Sequence, residues 1–438
     1  MINVSEATKV AWATGVIDKD IKINVGGTVI TADRIVGGSF ALNESIMASD
    51  SLEFVGCIAK SCSFQTDALN NVNLKGKTCS VQIRAGLTDW ITVFTGTIDE
   101  SKKRGSKGLK DITAYDVFYR LSQTDACDWW NSLGVTTLIA AFKQFMTDFN
   151  VAYNSAAISF VNSGITCFGG SKRQAKKLTA LQFLQAVCQI NGCVGYTDGY
   201  GRFGVKYIDA IAQQRLYPAD SLFPSDFIYP SDYDGGSVGF STIIPYYQEL
   251  EYEDYSIKQI DKVTLRNKSE DVGVSYPYAG SNNYIIQGNI FAFDQSGSDL
   301  LDIAQNIYNV VKNANFRPFT GKQMSFPWLE AGDKVTYYDI NDQGVTVEVN
   351  FIIMSRKMNG DQMMWDTFSA DGEQDQRIFI TDLQAQINDL QEQINENAED
   401  TPNGSLFGMV AVEYTQPIET PTLGGYESSV SGIATEVT

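Results

Sequence analysis

The chain has 438 residues, 33 Lys and Arg against 52 Asp and Glu, a formal charge of −19 and no histidine. At roughly 100–200 residues per domain, this length supports several domains with their own cores, and 43% apolar with 12% aromatic content excludes a disordered chain. The missing histidine removes Ser-His-Asp and Cys-His-Asn triads, histidine zinc sites and imidazole proton relays, and the acidic balance argues against a nucleic-acid binder, which needs a basic footprint.

The first residues, MINVSEATKVAWATG, lack the basic and then apolar regions of a secretory signal, and no apolar run approaches the ~18 residues of a membrane span. Seven cysteines (Cys57, Cys62, Cys79, Cys127, Cys167, Cys188, Cys193) form an odd set without CxxC spacing. They read as reduced, mostly buried thiols of a chain that folds in cytoplasm. No metal ligand set and no cofactor motif is expected.

In chain order, the first ~120 residues read as strands. Segments 21–25 and 29–31 flank Gly26-Gly27, a two-residue hairpin signal, and strands are expected at 61–65, 78–84 and 90–98. Segment 101–110 holds four lysines and one arginine around two glycines. It reads either as a contact to nucleic-acid backbone or as a solvated hairpin tip between Ile98 and Ile112, and the lack of interleaved aromatics favours the tip. The period then changes. Tyr115, Phe118, Tyr119 and Leu121 begin one helical face, and Leu138, Phe142, Phe145 and Phe149 continue another. A helix over 179–190, stopped by Gly192, precedes short strands at 193–196 and 203–207 around Asp198-Gly199-Tyr200-Gly201, an α+β unit. Because a strand follows those glycines, they are not a phosphate cradle.

Residues 217–256 read as a tyrosine-rich loop. Aromatics beside carboxylates resemble a sugar-binding surface, with Tyr229, Tyr233 and Tyr246 as candidate ligand or partner contacts. Glu249, Glu251 and Glu253 offer carboxylates for acid–base work, but their i, i+2 spacing puts all three on one face of a strand, as solvated edge charges stand. A helix over 298–313 with Ser298 as N-cap follows, then strands at 324–328, 334–338, 346–353 and 363–369 separated by Gly332, Gly344 and Gly360, a second β-rich domain. Ile380, Leu383, Ile387, Leu390 and Ile394 recur at spacings of 3, 4, 3 and 4, an a/d seam for a short coiled coil flanked by uncharged glutamines. This predicts self-association through those five residues. The other reading is one amphipathic helix docked on its own chain. The stretch 399–438 is polar and reads as an arm.

Several segments together resemble a known family: GSFALNESIMASDSLEFVGCIAKSCSFQ, FTGTIDESKKRGSKGLKDITAYDVFYRLS, KLTALQFLQAVCQINGCVGYTDGYGRFGVKYID, and GNIFAFDQ followed by the stretch from Leu300 through PWLEAGDKVTYYD. Their order is similar to that of the tail-tip (baseplate) hub proteins of Gram-positive phages and prophages, also called tail-associated or gp27-like proteins. The resemblance spans residues 20–375, with the PWLEAGD turn as its most specific stretch. It implies an α+β, multidomain chain: two β-barrel-like tube domains with α+β insertions, followed by a short C-terminal coiled-coil helix. The expected boundaries are 1–115 (tube-like), 116–215 (α+β), 216–297 (aromatic-rich β and loop), 298–375 (helix and second barrel-like domain), 376–397 (coiled coil) and 398–438 (arm). It implies a homotrimer whose six barrels adapt the six-fold tail tube to a three-fold tip, with DNA passing through a channel without specific binding. The expected partners are the tail tube protein, the distal tail protein, the tape measure protein and tip or receptor-binding proteins. The expected location is the virion, after synthesis in host cytoplasm. An acidic lumen would repel DNA phosphates. Many relatives carry a peptidoglycan hydrolase, and nothing like one is legible here, so no catalytic residue and no enzyme activity is expected. The alternatives are a carbohydrate-binding adhesin and, behind it, a carboxylate-based glycosidase. Ile at a with Leu at d favours dimers in parallel coiled coils, and the ring is expected to overrule two heptads.

Overall fold

A computed structural model describes residues 2–13, 18–47, 54–69, 71–105, 108–172, 175–208, 242–266, 273–340, 344–360 and 363–372. Tyr229, Tyr233 and all five heptad residues lie outside them, as does the 398–438 arm. The fold is α+β, mostly β, in several sheets. The short helix α1 (Glu6–Ala13) comes first. Strands β1 (Lys19–Val25), β2 (Thr28–Thr31), β3 (Ala41–Ser45), β4 (Ser61–Thr66), β5 (Thr78–Ala85), β6 (Ile91–Arg104) and β7 (Leu109–Tyr115) then build the N-terminal half of one sheet.

Alternation drives these strands. In β1 Ile21, Ile23 and Val25 point inward while the intervening Lys and Asn stay out, and the register sets them opposite Ile83, Val81 and Cys79 of β5. Cross-strand pairs on one buried face fix that register, because a slip by one residue would expose all six. Past β2 the chain returns to β4 at an Ile35–Thr66 bridge, so this half curls on itself. Expectation and structure part at 101–110. The ladder runs on past a bulge at Ile98/Glu100 to Arg104, and β7 begins at Leu109, so most of the basic residues decorate a long two-stranded arm and not a tip. Arg104 pairs with Asp111 at 2.6 Å and Lys102 with Glu100 at 2.7 Å along it.

Helices α2 (Val117–Ser122), α3 (Cys127–Ser132), α4 (Leu138–Asp148) and α5 (Ala180–Ile190) pack with the hairpin β10 (Val194–Thr197) and β11 (Phe203–Lys206), while β8 (Thr136–Thr137) and β9 (Thr166–Cys167) form a minimal ladder. Tyr115, expected on the first helix, instead closes β7, and Asp116 caps α2 by accepting from Phe118 N. A capping box between Thr179 and Gln182 starts α5, a device worth about 1 kcal/mol. The core here is aromatic: Phe145 stacks on both Phe149 and Phe183, and Trp129 meets all three edge-on.

The remainder comprises β12 (Thr242–Ile244), β13 (Tyr247–Tyr252), β14 (Lys262–Arg266), β15 (Val274–Tyr276), β16 (Asn283–Gln287), α6 (Gly297–Val311), β17 (Phe319–Met324), β18 (Lys334–Ile340), β19 (Thr346–Ile352), β20 (Ser355–Asn359) and β21 (Trp365–Ala370). Segment 242–252, read as loop, is thus strand, held by the register of β13 on β17. The cap of α6 is Ser296, not Ser298, its hydroxyl accepting from Asp299 N. The strand expected at 324–328 ends at Met324. Beyond it Asp366 accepts from Ser325 Oγ and Phe326 N and turns the chain, and Pro327 has no N–H for a ladder. Strands β14 to β16 and β20 were not legible as strands.

The sheet order is β13-β17-β21-β20-β3-β4-β7-β6-β5-β1-β2, eleven strands in which β20 pairs antiparallel with β3 and joins the two halves. The β10–β11 hairpin touches that sheet through back-to-back glycines. Cys57 N donates to Gly195 O at 2.7 Å and Gly195 N to Val55 O at 3.1 Å. A Cβ on Gly56, whose φ is +61°, would lie 2.5 Å from Gly195 O. Gly56→Ala is therefore expected to lose about 2–4 kcal/mol, left-handed strain plus overpacking, in urea unfolding. Gly27→Ala, with open space around it, carries the strain alone and is expected to lose about 1–2 kcal/mol.

Candidate functional site

The β3–β20 seam carries the most unusual chemistry in the molecule. Alternation turns Glu44 inward between Leu42 and Ile46, and does the same to Arg356 on β20 and Asp366 on β21. Lys60 enters just before β4, Lys206 ends β11, and Glu330 and Asp333 sit in the PWLEAGD turn. All seven are buried or nearly so.

Each charge finds opposite charge or donors. Lys60 Nζ lies 2.6 Å from Glu44 Oε2 and donates to Thr197 O at 3.1 Å. Glu44 Oε1 accepts from Ala331 N at 2.6 Å. Lys206 Nζ donates to Asp333 Oδ1 at 3.0 Å and to Ala331 O at 2.7 Å, with Glu330 Oε2 at 3.9 Å. Arg356 holds Asp366 through Nε and Nη2 and also donates to the Leu329 and Phe326 carbonyls. Lys60 and Lys206 thereby tie the N-terminal sheet, the β10–β11 hairpin and the C-terminal strands into one seam.

Burial opposes the Glu44 charge, yet Lys60, Arg356 and the Ala331 amide hold its carboxyl below its ordinary value. Burial likewise opposes the Lys60 and Lys206 ammonium groups, and Glu44 with Glu330 and Asp333 with Glu330 outweigh it and hold both above the usual lysine range. Asp333 is held low against its burial by Lys206. Asp116 behaves differently. Burial pushes its carboxyl up to about 6, although Thr197 Oγ1 donates to it at 2.6 Å and Lys60 lies near.

The crevice between Glu44, Lys60, Tyr196, Thr197 and Glu330 has about 10 Å³ of room, of the order of one water molecule and far below the ~300 Å³ of small-molecule pockets. Among the described residues no group of three or more Cys, Asp or Glu is arranged to hold a metal ion. What this arrangement does is mechanical: Glu44 on Ala331 N and Lys206 on Asp333 tie β3 and the β10–β11 hairpin to the PWLEAGD turn.

Of the candidate contacts, Tyr246 stands 77% exposed just after β12, and Glu249 and Glu251 are exposed on β13, the edge strand of the large sheet, as the i, i+2 spacing predicts. The described residues do not bring these to the seam. Sequence reasoning missed Glu44, Lys60, Lys206, Arg356 and Asp366. The available signal was a charge standing where period 2 calls for an apolar residue, as in Leu42-Asn43-Glu44-Ser45-Ile46.

No family model matches the chain, and no curated protein is similar to it. Among solved structures it is similar to the tail protein from Neisseria meningitidis MC58, with 14% identity and a TM-score of 0.49 over 81% of this chain and 96% of that one. It is also similar to the 43 kDa tail protein of prophage MuSo2 from Shewanella oneidensis, with 13% identity and a TM-score of 0.46 over 81% and 97%. For the phage P2 baseplate in its activated conformation the values are 10%, 0.28, 82% and 100%.

Removing Lys60 leaves Glu44 buried and unpaired. Lys60→Met is expected to lose about 3–5 kcal/mol, and adding Glu44→Gln is expected to recover more than half of it in a double-mutant cycle by urea unfolding. Asp116 gives a pH test. Its folded pKa near 6 exceeds the unfolded value, so its contribution is present below about pH 4 and is lost as pH rises through 6. The stability of Asp116→Asn minus that of the parent is expected to grow by about 3 kcal/mol from pH 4 to pH 7, about two pKa units. Taking the difference separates Asp116 from Glu44 and Asp333, whose lowered pKa values act in the opposite sense.

Proposed function

We propose that this chain is a structural component of a phage tail tip, a hub whose work is done by oligomeric geometry and not by a catalytic residue. The observation that supports this best is the seam itself. Two antiparallel half-sheets share one eleven-stranded sheet, with a buried ion pair in each half beside the place where they meet and Glu44 of one half accepting from Ala331 N of the other. A ring built from two similar modules per chain needs a fixed angle between them, and paired desolvated charges resist a change of angle because any shift strands a charge in low dielectric. The order of the four segments quoted above supports the same reading.

In this reading three copies form a ring that adapts the six-fold tail tube to the three-fold tip and lets the genome through its centre. The residues Ile380, Leu383, Ile387, Leu390 and Ile394 gather on the three-fold axis. The tail tube protein, distal tail protein and tape measure protein contact one side, and tip or receptor-binding proteins the other. Acidic side chains on the lumen keep DNA phosphates from sticking.

A second reading, a wall-carbohydrate adhesin, draws on the exposure of Tyr246 beside Glu249 and Glu251. Native mass spectrometry of the full chain is expected to give a species of about 145 kDa, three times the 48.3 kDa protomer, with rings in negative stain. A strict monomer at micromolar concentration, with no ring in tail preparations, overturns the hub.

A further inference from the structure

Three of the seven cysteines meet beside the Gly56–Gly195 contact. Cys57 lies in the segment that leads into β4, Cys188 on the last turn of α5, and Cys193 between α5 and β10. Cys57 Sγ stands 3.9 Å from Cys188 Sγ, and all three side chains are buried. Backbone holds them there: Cys57 N donates to Gly195 O at 2.7 Å, and Cys193 N to Cys188 O at 3.1 Å. Gly195 gives the sulfurs their room, since a Cβ on it would lie 2.4 Å from Cys57 Sγ and 3.0 Å from Cys188 Sγ. The two sulfurs thus converge over one glycine although 131 residues separate them in the chain.

Two thiols in contact are the starting geometry for a disulfide. That bond is about 2.05 Å long, so each sulfur has to move by about 1 Å, within reach of side-chain rotation. Cys193 is placed otherwise, its Sγ donating to Cys188 O at 3.6 Å. Burial opposes ionisation of all three thiols, and donation from Cys193 and Cys57 favours it at Cys188, which makes Cys188 the first to react. Burial also selects the oxidant. The crevice at the seam has room of the order of one water molecule, and its lining includes Ile58 and Tyr196, the chain neighbours of Cys57 and Gly195. A peroxide little larger than water enters such a space sooner than a peptide disulfide does.

We propose that Cys57 and Cys188 form a disulfide when the chain leaves a reducing environment and meets a peroxide, a covalent lock between α5 and the segment entering β4. In the first step the Cys188 thiolate attacks a peroxide oxygen, the O–O bond breaks, hydroxide leaves, and the sulfur becomes a sulfenic acid. Cys57 then attacks that sulfur, the S–O bond breaks, and the S–S bond forms with loss of water. The pair of thiols gives up two electrons, the peroxide is reduced to water, and the protons of both thiols end on its oxygens. The link closes 131 residues of chain and so restricts the unfolded state, more than a short loop would. It concerns the thiols of a single copy and stands whether or not the copies form a ring.

The test is peptide mapping of the full chain, purified under reductant, desalted and treated with dilute hydrogen peroxide in native buffer, with remaining thiols alkylated before digestion. A peptide pair linked through Cys57 and Cys188 is expected, reversed by dithiothreitol and absent from Cys57→Ser and Cys188→Ser. Cys193→Ser is expected to keep it. The linked chain is expected to unfold at higher urea than the reduced chain, a difference that Cys57→Ser does not show. Recovery of Cys57 and Cys188 as free thiols or as sulfinic acids overturns the proposal, and that outcome is read from the wild-type chain, whether or not a variant folds. A link from either one to Cys193 overturns the pairing. A link that forms only above the urea midpoint overturns the folded contact as its cause. An unchanged urea midpoint after linking overturns the lock.

Discussion

The seam between β3 and β20 rests on one electrostatic constraint: a charge taken out of water must be paired, or the fold loses several kcal/mol. Three cations meet five carboxylates there, Asp116 included. The imbalance explains why the carboxyls are not alike. Glu44 and Asp333 lie against ammonium groups and are held low, while burial pushes up Asp116, served mainly by a hydroxyl and backbone amides, and also Asp366, against the pull of Arg356. Apolar residues of similar volume would often be as stable in such a position, so the gain is in specificity of arrangement. Only one approach of the β10–β11 hairpin puts Lys206 on Asp333 and Thr197 on Lys60.

Packing reinforces that arrangement from two sides. The Gly195 backbone hydrogen-bonds to Val55 and Cys57 on either side of Gly56, so close that a Cβ on Gly56 would meet the Gly195 carbonyl. Behind them the aromatic core around Phe145 and Phe183 seats α4 and α5, so the hairpin that follows α5 is presented to the seam by a rigid helix pair. Local caps, close backbone approach and buried charge thus act on the same joint. That consistency is how a long chain specifies a single angle between two half-sheets.

The periphery follows different physics. The β6–β7 arm holds its outer half by strand pairing and exposed ion pairs, and the β12-β18-β19 sheet leaves Ile243, Tyr338 and Ile340 in solvent. Neither feature stabilises the protomer much.

The sequence by itself determined the alternating strands of the first half, the amphipathic α4 and α5, the edge position of Glu249 and Glu251, and the −19 charge with no histidine. Each is a matter of local period or of counting, and neither needs a partner in space. Only the tertiary structure decided that Tyr115 ends a strand, that 101–110 extends a ladder, that Ser296 caps α6 in place of Ser298, and that Pro327 lies beyond β17. Those outcomes depend on which strand lies alongside and which carboxylate reaches the backbone. The seam was the least legible part, because Glu44, Lys60, Lys206, Glu330 and Arg356 are up to 312 residues apart in the chain and acquire their meaning when burial forces them together.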